Sequence, residues 1–150
     1  MDILSNFSET LAELIFDYNN GQQMCAKDFA KLVGVAPTTI TRYLTKKRLP
    51  TIESLVILAD FFQCSTDYLL GLETENYSKI FKPCPNFAEH FKDILKEHGL
   101  TSIQFSELTN INQSLVYAWK NGKRVPSLDN AIKIAKYFEF SLDKLLGREL

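Results

Sequence analysis

The sequence predicts an all-α protein of two five-helix domains joined by a short linker. Two observations carry that prediction. The chain repeats itself: displaced by 76 residues, it aligns with itself without a gap from Leu11 to Gly71, and fifteen of the aligned pairs are identical. They include Ala12/Ala88, Phe29/Phe105, Leu32/Leu108, Lys47/Lys123, Arg48/Arg124, Pro50/Pro126, Phe62/Phe138, Asp67/Asp143 and Gly71/Gly147. Their pattern is one of apolar core positions, helix punctuation and a basic pair, so a single architecture is written twice. The second observation is periodicity. In both copies apolar residues recur three and four apart, between capping residues and stops, rather than alternating. The period exceeds that of a solenoid repeat, and the reading is duplicated domains at 1–71 and 86–150 with a linker at 72–85. Each is large enough for a helical domain to fold alone.

The elements follow in order. The second copy opens with Asn86 as N-cap and Glu89 three residues on, a capping box, which Thr10 and Glu13 mirror in the first. Leu11, Leu14, Ile15 and Tyr18, and correspondingly Phe87, Phe91, Ile94 and Leu95, give the first helix its apolar face. Upstream, Ile3, Leu4 and Phe7 have no counterpart in copy two. They read as an extension of helix 1 over the core, with a dimer contact as the second reading. Helix 2 is expected over 26–33 and 102–109, with Thr101 and Gln104 forming a further capping box. It stops at Gly34 or Asn110, residue types that tolerate the left-handed backbone of a helix C′ position.

A new helix begins almost at once. Pro37 takes its first position, where a missing N–H does no harm, and Asn112 is the corresponding N-cap in copy two. Two short helices joined by so tight a turn make a helix-turn-helix unit. Helix 3 ends in a basic loop, Lys46-Lys47-Arg48 or Gly122-Lys123-Arg124, followed by Pro50 or Pro126. Thr51 and Ser127 cap helix 4, whose apolar face is Leu55, Leu58, Ala59 and Phe62, or Ala131, Ile134, Ala135 and Phe138. Ser65 and Ser141 cap a last short helix that Gly71 and Gly147 stop, with Asp67 and Asp143 in its first turn. Pro83 and Pro85 mark the linker.

Composition narrows the function classes. The chain has 150 residues, is 45% hydrophobic and 23% charged, and carries a formal net charge of −1, the profile of a soluble globular protein. The average hides an asymmetry: residues 1–75 sum to −4 and residues 76–150 to +3. Any nucleic-acid contact must therefore come from local basic patches. Cys25, Cys64 and Cys84 have no CxxC spacing and no His at metal-ligand distance, which favours a reducing cytosol and no metal. No run is long enough to span a membrane and no signal peptide is legible, so a cytoplasmic, nucleoid-associated location is expected. There is no phosphate loop, nucleophile elbow or carboxylate–His arrangement. Neither catalysis nor a cofactor is expected, and almost every residue is already assigned to a core, a cap or a surface, leaving no room for a small-molecule-sensing domain.

Both copies resemble the phage-repressor family of helix-turn-helix domains, the Cro or xenobiotic-response-element type with the lambda-repressor-like fold. The matching stretches are Phe29-Ala30-Lys31-Leu32-Val33-Gly34-Val35, Thr38-Thr39-Ile40-Thr41-Arg42 and Lys47-Arg48-Leu49-Pro50-Thr51. In copy two they are Phe105 to Ile111 and Val116 to Ser127, and the distal Leu-Ala-Asp-Phe-Phe and Ile-Ala-Lys-Tyr-Phe segments also fit. The resemblance implies that helix 3 enters the DNA major groove while the start of helix 2 touches the backbone. By position, the base-reading candidates are Pro37, Thr38, Thr41 and Arg42, and Gln113, Ser114, Tyr117 and Ala118. The phosphate candidates are Ala26, Thr39, Lys46, Lys47 and Arg48, and Ser102, Lys120, Asn121, Lys123 and Arg124.

Helical geometry points to the same face: with Ile40 and Tyr43 turned inward, Thr38, Thr39, Thr41 and Arg42 face outward. Arg suits guanine, Gln suits adenine, and a Thr methyl suits the thymine methyl. The chain departs from the family at Ala26 and Ser102, where Gln is common, at Lys46, where Gly is usual, and at Leu44, where Glu is common. The expected function is a sequence-specific, double-stranded-DNA-binding transcriptional regulator of bacterial or phage type, acting as a repressor. The alternative has copy one on DNA while copy two, or the exposed face of helices 4 and 5, holds another protein: a second chain in a homodimer, or a repressor that it antagonises.

Overall fold

In the computed structural model, which describes residues 2–76 and 80–149, the chain divides into two compact units, Met1–Lys79 and Ile80–Leu150. The first contains α1 (Ile3–Tyr18), α2 (Ala26–Val33), α3 (Pro37–Leu44), α4 (Ile52–Phe62) and α5 (Thr66–Leu69). The second repeats them as α6 (Phe87–Glu97), α7 (Ser102–Thr109), α8 (Gln113–Lys120), α9 (Leu128–Phe138) and α10 (Leu142–Leu146). The all-α expectation of two five-helix domains is met.

The punctuation explains most boundaries. Thr51, Ser65, Asn86, Thr101, Asn112, Ser127 and Ser141 each accept a hydrogen bond from a backbone N–H of the turn that follows. Thr101 and Gln104 close the reciprocal capping box. Gly34 (φ 74°) and Asn110 (φ 57°) end α2 and α7 in the left-handed conformation. Each satisfied cap contributes about 1 kcal/mol.

One cap is corrected. Thr10 does not start the first helix; α1 begins eight residues earlier in sequence than that reading implied, at Asp2, whose carboxylate accepts from the Leu4 N–H at 3.1 Å. The physical reason is that Ile3, Leu4 and Phe7 continue the apolar stripe of Leu11 and Ile15 upstream, so burial carries the helix through Thr10. Phe7 is fully buried with its ring edge-on to Tyr43 at 5.3 Å. This is the extension of helix 1 over the core. Cys25 before α2 and Ala36 before α3 make no side-chain cap bond.

Each unit has its own core. Leu11, Phe29, Ile40, Tyr43, Leu55, Leu58 and Leu69 fill the first; Phe91, Phe105, Val116, Trp119, Ile134 and Leu145 fill the second. Trp119 lies against Phe91 at 6.0 Å between ring centroids. Every such side chain, fully buried, contributes about 1.5–3 kcal/mol. The identical pair Leu32/Leu108 does not belong to these cores, being 48% and 58% exposed. The two-turn helices α2 and α7 each bury a narrow face centred on Phe29 or Phe105, and the leucine three residues on falls at its rim.

The ends of the stretch 72–85 are anchored. Leu72 and Glu73 donate their N–H groups to the Asp67 carbonyl at 2.8 and 3.3 Å, and Ser65 Oγ donates to Glu73. Unit 2 repeats this: Arg148 N–H donates to the Asp143 carbonyl at 2.8 Å, and Ser141 Oγ donates to Glu149. Glu73/Glu149 is thus one more identical pair at the same offset. The segment entering unit 2 is tied to that tail. Phe81 forms an isolated antiparallel bridge with Glu149, and Lys82 N–H donates to the Arg148 carbonyl at 2.8 Å.

Candidate nucleic-acid interface

The interface is built on α3 and its preceding turn. Two inward residues fix its orientation, because Ile40 and Tyr43 are buried and successive helical residues turn by about 100°. Pro37, Thr38, Thr41 and Arg42 are consequently exposed on the opposite side. They line one shallow groove of about 450 Å³ together with Ala26, Lys27, Thr45 and Lys47. Four base-reading candidates therefore stand beside two phosphate candidates. Lys27 and Thr45 were not singled out from the sequence. Each had a usable signal: Lys27 is a cation in the first turn of α2, and Thr45 lies one helical turn beyond Thr41.

Two hydroxyls on this face are already committed as donors. Thr41 Oγ1 donates to the Pro37 carbonyl at 3.1 Å and Thr45 Oγ1 to the Thr41 carbonyl at 2.7 Å. What they still offer a ligand is acceptor capacity and a methyl group. Thr39 is only half exposed and does not line the groove, a correction to the expectation that it faces outward with its neighbours. It sits one residue from buried Ile40, on the flank of the helix.

The basic loop after α3 has a defined backbone. Lys46 adopts φ 60°, matching φ 74° at Gly122 in copy two. Lys47 N–H donates to the Arg42 carbonyl at 2.9 Å, and Lys123 N–H to the Ala118 carbonyl at 3.0 Å, the six-to-one bond of a helix stop. The sequence difference at this position therefore changes strain rather than path. Lys46 Nζ also donates to Glu9 Oε1 at 3.2 Å. Arg48 is exposed alongside. Six cations (Lys27, Lys31, Arg42, Lys46, Lys47 and Arg48) thus lie on α2, α3 and the loop after them, although residues 1–75 are net acidic. Part of the acid lies on α1, where burial first, and then Glu13, hold the Tyr68 phenol above its ordinary value of 10.

Copy two repeats the geometry with different chemistry. Val116 and Trp119 are the inward pair; Gln113, Ser114 and Tyr117 are exposed and Ala118 is half-buried. Ser114 gives both its N–H and its hydroxyl proton to Asn112 Oδ1, at 2.8 and 2.7 Å. Ser102 is buried and accepts from Lys120 Nζ at 2.8 Å, so these two phosphate candidates are joined to each other. Asn121, Lys123 and Arg124 stand exposed in the loop. In place of Thr41, copy two presents the large ring of Tyr117.

A family model decides what the duplicated unit is. The helix-turn-helix model HTH_3 matches residues 20–69 and again residues 91–145, together more than two thirds of the chain. The chain belongs to this helix-turn-helix family. Both matches contain a helix-turn-helix pair with its following loop, α2–α3 in one and α7–α8 in the other. The family is one of DNA-binding transcription regulators of xenobiotic-response-element type, not of enzymes. No curated protein and no solved structure matched this helix-turn-helix protein. Among the described residues no helix is long and apolar enough to cross a membrane.

Proposed function

We propose that the protein is a sequence-specific regulator of transcription that inserts α3 and α8 into the major groove of double-stranded DNA and acts as a repressor. The observation that carries this reading is the shared groove of copy one, where Pro37, Thr38, Thr41 and Arg42 stand beside Lys27 and Lys47. Base-reading chemistry and phosphate-binding charge are thereby offered to one duplex. Arg42 makes a bidentate contact to guanine, and the methyl of Thr41 meets a thymine methyl. In copy two Gln113 reads adenine, flanked by Ser114, Tyr117 and Ala118. The N-termini of α2 and α7, at Ala26 and Ser102, present backbone N–H groups to phosphate. Thr39, Lys46, Lys47, Arg48, Lys120, Asn121, Lys123 and Arg124 add sequence-independent contacts that set register. Repression requires only that a site be occupied, and two DNA-binding units suffice for that in the nucleoid.

A specific observation favours a second reading, in which copy two holds another protein chain. Its phosphate pair Ser102 and Lys120 is internally satisfied, and it exposes Ile103, Leu108, Tyr117 and Val125. A homodimer and an antagonised repressor both belong to this class.

One comparison separates the readings. On a duplex recovered by selection, Arg42→Ala is expected to weaken binding by about 1–3 kcal/mol and to relax preference at one base pair. The combined change Gln113→Ala, Lys123→Ala and Arg124→Ala is expected to weaken it as well and to lower the salt slope by about two. Full affinity in the triple variant, with loss in Arg42→Ala, would establish the second reading.

A further inference from the structure

From the anchoring at both ends of 72–85, we infer that the chain reads a bipartite operator of fixed spacing, and that a clasp in unit 2 is what fixes it. The inference rests on the proposal that both copies bind DNA. Residues 72–85 taken as a free linker would span up to about 50 Å. The structure leaves much less. Leu72 and Glu73 are bonded back to α5, and from Phe81 onward the chain is held to unit 2.

The clasp has four parts. Arg148, fully buried, pairs with the buried carboxylate of Asp143 at 2.5 Å. Its guanidinium carbon lies 4.3 Å from the centroid of the Phe81 ring. Phe81 bridges Glu149, and Lys82 donates to the Arg148 carbonyl. Pro85 closes the segment against the end of α10, for a Cβ built on Gly147 would come within 2.6 Å of Pro85 Cδ and Cγ. Position 72, the counterpart of Arg148 in copy one, is Leu; the ion pair and the ring contact belong to the copy that the linker enters.

Between the anchors lie residues 74–80, whose covalent reach is at most about 25 Å. Shifting one half-site by a base pair moves it roughly 3.4 Å along the duplex and about a tenth of a turn around it. A short tether follows such a shift over only a few base pairs before the second unit can no longer reach, and the gain from linking two binding units is then lost. Operator spacing is thus set by Phe81 and Arg148, which lie far in sequence from α3 and α8.

The test uses the full chain and duplexes carrying the two selected half-sites at spacings varied one base pair at a time. Three proteins are compared: wild type, Phe81→Ala, and a chain with six Gly/Ser residues inserted after Asn76. Phe81→Ala leaves the Asp143–Arg148 pair in place, and the insertion falls between the two anchors, beyond Glu73 and before Phe81. Wild type is expected to show one narrow optimum, losing about tenfold or more in affinity within two or three base pairs on either side. Both altered chains are expected to accept additional spacings. Wild type tolerating as many spacings as the insertion chain overturns the inference, and so does a Phe81→Ala profile as narrow as wild type. A flat profile at single-half-site affinity in all three proteins overturns the two-copy DNA reading as well, and is distinguished by its insensitivity to the second half-site.

Discussion

At the scale of single residues, Lys46 shows how a local departure is absorbed. Its φ of 60° lies where L side chains rarely go, and the aligned Gly122 holds the same conformation. A left-handed non-glycine residue costs about 1 kcal/mol or slightly more. The half-exposed pair with Glu9 returns at most a few tenths of that. Lys46→Gly is therefore expected to stabilise unit 1 by about 0.5–1 kcal/mol in denaturant melts. If Lys46 also meets phosphate as proposed, the same change lowers the salt slope of DNA binding by about one. A destabilised variant would show that the Lys46–Glu9 contact outweighs the strain. The alignment with Gly122 made the position conspicuous; that a lysine would follow the glycine path was not legible, because the contact that offsets a small part of the strain comes from Glu9 on another helix.

At the scale of elements, the helix ends were legible and the contacts between elements were not. Gly34, Asn110, Thr51, Ser127 and Thr101 act within one turn of the chain, so residue type and offset identify them. Thr10 misled because a cap-like residue was weighed without the apolar stripe that runs past it from Ile3 to Leu11. The Ser102–Lys120 bond, the Asp143–Arg148 pair and the Phe81 contact join residues brought together only by folding. Even so, the Glu73/Glu149 identity lies only two residues past Gly71 and Gly147, and each pairs with the serine that caps its last helix. Gly147 tests this level. At φ 81° and with Pro85 packed against it, Gly147→Ala meets both backbone strain and a clash and should cost unit 2 about 2 kcal/mol or more. Trp119, the one tryptophan and buried in unit 2, reports this directly as a lower fluorescence midpoint. An unchanged midpoint would mean that Pro85 yields without cost, and would weaken the clasp.

At the scale of the whole molecule, duplication supplies two similar scaffolds and divergence supplies two different faces. Thr41 and Arg42 in one copy stand where Tyr117 and Ala118 stand in the other, so a site read by both cannot be a palindrome within one chain. The net charge of −1 gives no global attraction to DNA, and affinity has to come from the cations gathered around each third helix. The direct measurement is selection of a random duplex library by the full chain, followed by sequencing of the recovered pool. One asymmetric motif in two parts is expected, with a guanine in the part assigned to copy one and an adenine in the part assigned to copy two. Recovery of a pool indistinguishable from the input library would contradict it.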